Sequence, residues 1–446
     1  MINMKKTIFL LSILLTGAST LFAQMGKPYD MTINGVKVIV QPSGNDIVEI
    51  LTVIKGGVQN YPADKAGIEA LAMSALTECG TTRDDKNSFK NKLDKLSAEM
   101  SGSTGMDFAS FRANFIKSDL DQVWPLYVDA LTAPRFDEKE FNRIKLEWMT
   151  RIKAEESNPD ASIGNLARQT AFAGKDYAKE PNGTEGSLGK LTAVATKAYY
   201  KSVFTRSHLT IVIVGDIDRS VIESKVKALL DMVPAGKPFV QKKATFTPTV
   251  NTFKPKEKEL ATNYIQGVAS APLPGTPDYN AYLLAMRIFS SRHFVEIRTN
   301  NGLSYAPGAW FSGGSSPYSV ISVSTTDPNK YVIATRQLID KIRREGFTSD
   351  ELRNIKTGYL TGVYYRQETN SAQAASLASN EVIHGNWKRA VTIKDEMKNV
   401  SLSELNRVFA KYMTSISWVF QGDPKKVDEK LYKQKETPKA TGIKTF

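Results

Sequence analysis

The feature that most constrains this 446-residue chain is that it repeats itself once, at an offset of about 210 residues. Phe347-Thr-Ser-Asp-Glu-Leu-Arg-Asn-Ile-Lys356 echoes Phe136-Asp-Glu-Lys-Glu-Phe-Asn-Arg-Ile-Lys145 at 211 residues. Val408-Phe-Ala-Lys411 echoes Ala198-Tyr-Tyr-Lys201 at 210, and Ser417-Trp-Val-Phe-Gln-Gly-Asp423 echoes Val212-Ile-Val-Gly-Asp216 at 207. A period that long is duplication of a whole domain, not a solenoid. The length agrees, since one hydrophobic core rarely grows past about 250–300 residues. The expected division is residues 24–235 for the first domain, 236–255 for a linker inside the Pro-, Lys- and Thr-rich stretch Pro234–Thr252, and 256–446 for the second.

Each copy mixes strand and helix signals. Val36-Lys-Val-Ile-Val-Gln41 and Ile47-Val-Glu-Ile-Leu-Thr-Val-Ile54 are β-rich, and Ala109, Phe111, Ala113 and Phe115 alternate onto one face. Leu209-Thr-Ile-Val-Ile-Val-Gly-Asp216 predicts a buried strand ending in a turn. Ile68, Leu71, Ala72, Ala75 and Leu76 recur at helix spacing, and helices are predicted over Asp119–Leu131, Asp137–Glu156 and Ser220–Met232. The second of these closes at Asn158-Pro159. The expectation is an α+β chain of two homologous domains, each a mixed or antiparallel sheet covered by helices. Such sheets leave edges onto which an extended peptide can add as a strand. Gly313-Gly314 reads as a mobile loop, and Lys425–Lys444 as a solvated basic tail.

Composition narrows the function. Apolar residues at 41% and charged residues at 24% exclude a disordered, collagen-like or multi-span membrane chain. Lys5-Lys6 followed by the apolar run Ile8–Leu15 and by Leu21-Phe22-Ala23 reads as a secretory signal over residues 1–23, cut before Gln24. Gly17, Ser19 and Thr20 break the run before it is long enough to span a bilayer. The expectation is an exported protein, periplasmic or secreted, with no membrane contact after cleavage. The single cysteine, Cys79, excludes a disulfide framework and is expected to be buried and inert. The net charge of +13 is not gathered into a Lys/Arg block, so nucleic acid is not an expected partner.

No catalytic centre stands out. His208, His293 and His384 lie 85 and 91 residues apart, so no two share a helix turn. Neither a His-x-x-Glu-His motif nor its inverse, a P-loop, a Gly-x-Ser-x-Gly elbow or a Gly-x-Gly-x-x-Gly loop occurs. A structural role is read for each histidine.

Gly67-Ile-Glu-Ala-Leu-Ala-Met-Ser-Ala-Leu-Thr-Glu-Cys-Gly-Thr81 nevertheless resembles the inverted zinc-motif helix of the pitrilysin, insulinase and mitochondrial-processing-peptidase family, Gly-Leu-x-His-x-x-Glu-His followed by Gly-Thr. Counted from Gly67, the two ligand histidines of that family fall on Ala70 and Ser74, and its catalytic glutamate on Met73. Counted back from Gly80-Thr81, the register moves by one, to Leu71, Ser74 and Ala75. The third ligand, a glutamate on the next long helix, falls on Arg151 when counted from Pro159. A zinc site needs about three protein ligands and an open position, so the resemblance implies that this chain holds no zinc of its own.

The second-half signature of the family is better kept. Ser291-Arg-His-Phe-Val-Glu-Ile-Arg-Thr-Asn-Asn-Gly-Leu-Ser-Tyr305 resembles Ser-Arg-Leu-Phe-x-x-Leu-Arg, three residues, Gly-Leu-x-Tyr, with His293 in place of the usual leucine. The resemblance makes Arg298 and Tyr305 the arginine–tyrosine pair that reaches the substrate carbonyl across the clamshell, of which two such domains form half. Read locally, the same residues are a helix end: Arg298 near the last carbonyls, Gly302 past the terminus, Tyr305 a strand aromatic. Leu283–Ser290 lacks the glycine-rich loop of the non-catalytic processing subunit, so the chain looks more like the bacterial arrangement of two different subunits. The resemblance therefore implies an accessory subunit of an exported heterodimeric zinc peptidase. A homologous partner would supply the zinc, and an extended peptide would be the substrate. The other reading is a non-enzymatic peptide-binding or scaffold protein on a degenerate peptidase fold.

Overall fold

The computed structural model of the chain describes residues 26–365 and 367–435; the stretch 1–23 read as a signal and the part of the basic tail beyond residue 435 lie outside the described residues. Glu429–Lys433 of that tail is a helix with Tyr432 fully buried, not a solvated extension. Two sheets form. The first contains β1 (Tyr29–Ile33), β2 (Val36–Gln41), β3 (Ile47–Lys55), β4 (Glu99–Ser103), β5 (Phe108–Ile116) and β6 (Leu209–Val214), in the order β1-β2-β6-β3-β5-β4. The second contains β7 (Thr252–Glu257), β8 (Asn263–Ala269), β9 (Gly308–Ser312), β10 (Tyr318–Thr325) and β11 (Ile416–Gly422), in the order β7-β11-β8-β10-β9. Apart from the extra edge strand β1, replacing β2, β6, β3, β5 and β4 by β7, β11, β8, β10 and β9 turns one order into the other. Each sheet holds one parallel pair, β2 with β6 and β7 with β11, and is otherwise antiparallel. The duplication read from sequence is thus a duplication of topology, and the class is α+β.

The central strands are buried on both faces, which is why β6 reads as an apolar run interrupted by Thr210 alone. One face of the first sheet packs on helices of its own half, with Leu71, Ala72, Leu76, Phe111 and Ile213 in one core. Its other face, formed by Ile39, Leu51, Val53, Val212 and Val214, is closed by Ala374, Leu377 and Ala378 of the second-half helix Asn370–Ser379. The reverse also holds. Ile163 and Ala167 of the first-half helix Pro159–Ala171 close Val268 and Val419 of the second sheet. These helices begin 211 residues apart, so each half lends the other the same piece.

Polar bonds at the helix starts fix both loans. Asn158 caps Pro159–Ala171, accepting from the Asp160 and Ala161 amides at 2.9 and 3.4 Å, with proline at the first position. Ser162 Oγ then donates to Gln421 Oε1 at 2.9 Å. Opposite, Ser371 Oγ donates to the buried Glu49 carboxylate at 2.8 Å, and Asn370 Nδ2 to the Ile47 carbonyl at 2.6 Å.

The two related hairpins meet at their tips. In the turn between β4 and β5, Asp107 accepts from Tyr177 Oη at 2.7 Å and from the Ser315 amide, in the turn between β9 and β10, at 3.1 Å. Gly314 has φ +101°, and a Cβ there would fall 2.6 Å from Tyr177 Oη and 2.7 Å from Asp107 Oδ2. The Gly313-Gly314 segment, expected as a mobile loop, is therefore a fitted contact between the halves. Its glycines are there for close approach.

Candidate functional site

The helix Ile68–Glu78 starts at Gly67, whose φ is +87° and whose missing Cβ leaves room for Leu188 Cδ2, 2.5 Å from where a Cβ would stand. Beside it runs the helix Glu138–Ser157, begun by Asp137 accepting from the Glu140 amide at 3.1 Å. Ala70 and Ser74, one turn apart, share a face. Ala70 and Met73 are buried. Ser74 Oγ accepts from Trp148 Nε1 at 3.1 Å, and the Arg151 guanidinium lies 4.7 Å from the Trp148 ring. The two helices that would carry a metal site are thus side by side, but they hold a methyl, a thioether, an engaged hydroxyl and a cation. That donor set does not fit zinc. Among the described residues no group of three His, Cys, Asp or Glu side chains is placed to hold a metal ion.

One residue away sits a group the sequence did not single out. Glu69 is fully buried and accepts from Tyr199 Oη at 2.5 Å, Thr104 Oγ1 at 2.8 Å and Asn60 Nδ2 at 3.4 Å. Burial raises its carboxyl above the ordinary range, and these donors counter part of that rise. The bonds pin the helix to the turn that follows β4. On β4 itself, a Cβ at Gly102 would fall 2.3 Å from the Met73 carbonyl oxygen, so glycine alone lets the edge strand lie against the helix.

The second candidate cluster belongs to the other half. The helix Asp278–Phe294 widens into a π-type turn, Val295–Asn300, and stops at Gly302 with φ +62°. The Gly302 amide donates to the Arg298 carbonyl at 3.2 Å and the Leu303 amide to the Ile297 carbonyl at 2.9 Å, a left-handed helix stop. Glu296 braces the stop, accepting from Asn300 Nδ2 and Asn301 Nδ2, each at 2.9 Å. Arg298 Nη1 donates to the Tyr305 carbonyl at 2.9 Å. Its guanidinium lies 5.2 Å from the Phe294 ring and 5.6 Å from the Tyr305 ring. Tyr305 is 86% exposed and stands before β9, outside the strand. The structure brings Arg298 and Tyr305 into contact and turns the ring to solvent. Two donors side by side can stabilise an oxyanion presented from outside the chain.

The histidines sit elsewhere. His293 is fully buried, its Nε2 3.2 Å from Tyr331 Oη, and burial pushes it down to about 3. His208 bonds Thr205 Oγ1 through Nδ1 at 3.0 Å, and the His384 ring lies 4.9 Å from that of Tyr279. Cys79 is buried and its thiol is pushed up to about 12, chiefly by burial. A polar cavity of about 640 Å³ opens between the two halves, lined by Glu155, Glu156, Asn165 and Asn182 on one side and Lys256 and Lys258 on the other.

Comparison with known proteins adds to this geometry. Residues 37–185 match the family described as Insulinase (Peptidase family M16), and residues 190–359 match the Peptidase M16 inactive domain. The chain is 21% identical over 341 residues to the uncharacterized zinc protease YmxG of Bacillus subtilis, covering 75% of this chain and 83% of that one. The peptidase M16 inactive domain from Pseudomonas fluorescens has the same fold, with a TM-score of 0.78 at 16% identity over 89% of this chain and 98% of that one. The periplasmic protease PqqL from Escherichia coli matches with a TM-score of 0.76 at 14% identity, over 90% of this chain but 47% of its own.

Proposed function

The chain belongs to the insulinase (M16) family of peptidases, and from that premise we propose that it is the non-zinc subunit of an exported heterodimeric zinc peptidase. The observation that carries the reading is an asymmetry. Arg298 and Tyr305 stand together with the ring exposed, while Ala70, Met73, Ser74 and Arg151 offer nothing that could bind or activate at a metal. A homologous partner would contribute the zinc, its ligands and the general base. This chain would contribute half of the peptide chamber, the Tyr305 hydroxyl and the Arg298 guanidinium, both donating to the carbonyl oxygen as charge develops on it. PqqL, about twice as long as the match, supports a working unit built of two such lengths. Export rests on Lys5-Lys6 and the apolar run after them.

Recovering the tagged protein from its native extract tests the pairing; a stoichiometric homologue carrying His-x-x-Glu-His is expected with it. In that complex Tyr305→Phe should lower kcat roughly 10²-fold, as for loss of one oxyanion donor. Unchanged turnover would remove the role given to the pair. A second reading, a peptide-binding protein with no catalytic partner, draws on the edges β4 and β9, each strand-paired on one side alone. Recovery of this chain by itself, under conditions that keep dimers, selects it.

A further inference from the structure

The contact between the two hairpin tips is built around a carboxylic acid in an unusual place. Asp107 is 7% exposed, and its two donors come from segments far apart in sequence, Tyr177 after the lent helix Pro159–Ala171 and Ser315 in the second half. Ser315 is itself fully buried, and Gly314 leaves no room for a side chain between them. On the first-half side, the Gly56 amide donates to the Asp107 carbonyl at 2.8 Å, so the acid is held from behind as well. Pulling the tips apart would return Asp107 to water. Docked and undocked tips therefore place the same carboxyl in a dry and a wet setting.

We propose that the Asp107–Ser315 contact is a proton-sensitive latch between the halves, closing more firmly as the medium becomes acidic. Burial raises the docked carboxyl above its ordinary 3.8, and the Tyr177 and Ser315 donors return only part of that. The docked state thus binds the proton more tightly than the undocked one, so acid favours docking and rising pH loosens it.

No cation neutralises Asp107 among the described ion pairs. Tyr177 is hydrogen-bonded to it and held protonated by burial. Tyr279, whose Oη lies 3.0 Å from where a Gly313 Cβ would stand, is pushed up to about 12. Behind Tyr279, His384 is pushed down to about 4 by burial and by Arg389 and Lys243, so it stays neutral above pH 5. Beside Tyr177, Asp176 is engaged by Lys179 at 2.7 Å and Lys242 at 3.5 Å. Among these groups Asp107 is the carboxyl whose setting changes from dry to wet when the tips part.

Amide hydrogen exchange on the intact chain tests the latch, read at residues 104–107 and 313–316 at pH 3.5 and 7.5, on either side of the raised carboxyl, and corrected for intrinsic rates. Protection should fall as pH rises, by up to about tenfold for each pH unit between the undocked and docked values. Asp107→Asn keeps the shape without the charge, and should be protected equally at both pH values. Gly314→Ala, which wedges the tips, should exchange fast at both. Wild-type protection that does not change with pH, or the same pH dependence in Asp107→Asn, overturns the proposal.

Discussion

Inside the first half, Glu69 is the residue whose chemistry departs furthest from its surroundings. It lies between Ile68 and Ala70, and nothing local announces a role, because its donors stand 9, 35 and 130 residues away. Arg298 and Tyr305 were singled out by the family signature they resemble, and the structure adds that, seven residues apart around a glycine, they meet through a local helix stop. Trp148, which takes up the Ser74 hydroxyl, was not legible, since only helix packing sets it there. Because burial raises Glu69 above its ordinary 4.5, the folded state holds that proton more tightly than the unfolded chain. Its contribution to stability is complete below pH 4.5 and is lost as pH rises through the folded value, by about 1.4 kcal/mol for each pH unit between the two. Glu69→Gln should remove that part of the decline. Urea midpoints between pH 4 and 8 decide it, and parallel slopes for the two proteins would refute the assignment.

At the scale of elements, the segments with a strong period came through: β2, β3 and β6, and the helices at Ile68–Glu78, Leu120–Thr132 and Glu138–Ser157. β4 did not, because Glu-Met-Ser-Gly-Ser has neither β-branched residues nor an apolar alternation. It is a strand because β5 pairs with it and because Gly102 lets it press on the Met73 carbonyl. Gly102→Ala should cost about 1–3 kcal/mol, the usual range for overpacking, seen as a lower urea midpoint with unchanged far-UV dichroism. A neutral effect would mean that the edge strand and the helix are not in register as described. The other exposed edge of the second sheet, β7, is blunted by Lys254, Pro255 and Lys256, a common way of discouraging strand addition. β4 and β9 carry no such guard.

The duplication was visible along the chain, but the exchange of helices was not. The repeat at 211 residues tells that two copies exist. Which copy a helix packs on is decided by apolar patches, Ile163 with Val268 and Leu377 with Val212, that no single-segment pattern contains. Cutting Ile163 back to alanine should destabilise the chain by about 2–5 kcal/mol. Since Ile163 belongs to one half by sequence and closes the core of the other, unfolding should remain one transition for both sheets. Two separated transitions in calorimetry would show that the halves are independent.

Neither half, taken alone, is then a complete folding unit. Excised from its companion, the first would expose the wall formed by Leu51, Val53 and Val212 and would carry a helix with nothing to rest on. Two identical ancestors trading that helix would satisfy both at once, which is the arrangement of a domain-swapped homodimer. Joining their chains end to end keeps those exchanged contacts, makes the pairing heritable as a single gene and frees the two copies to diverge.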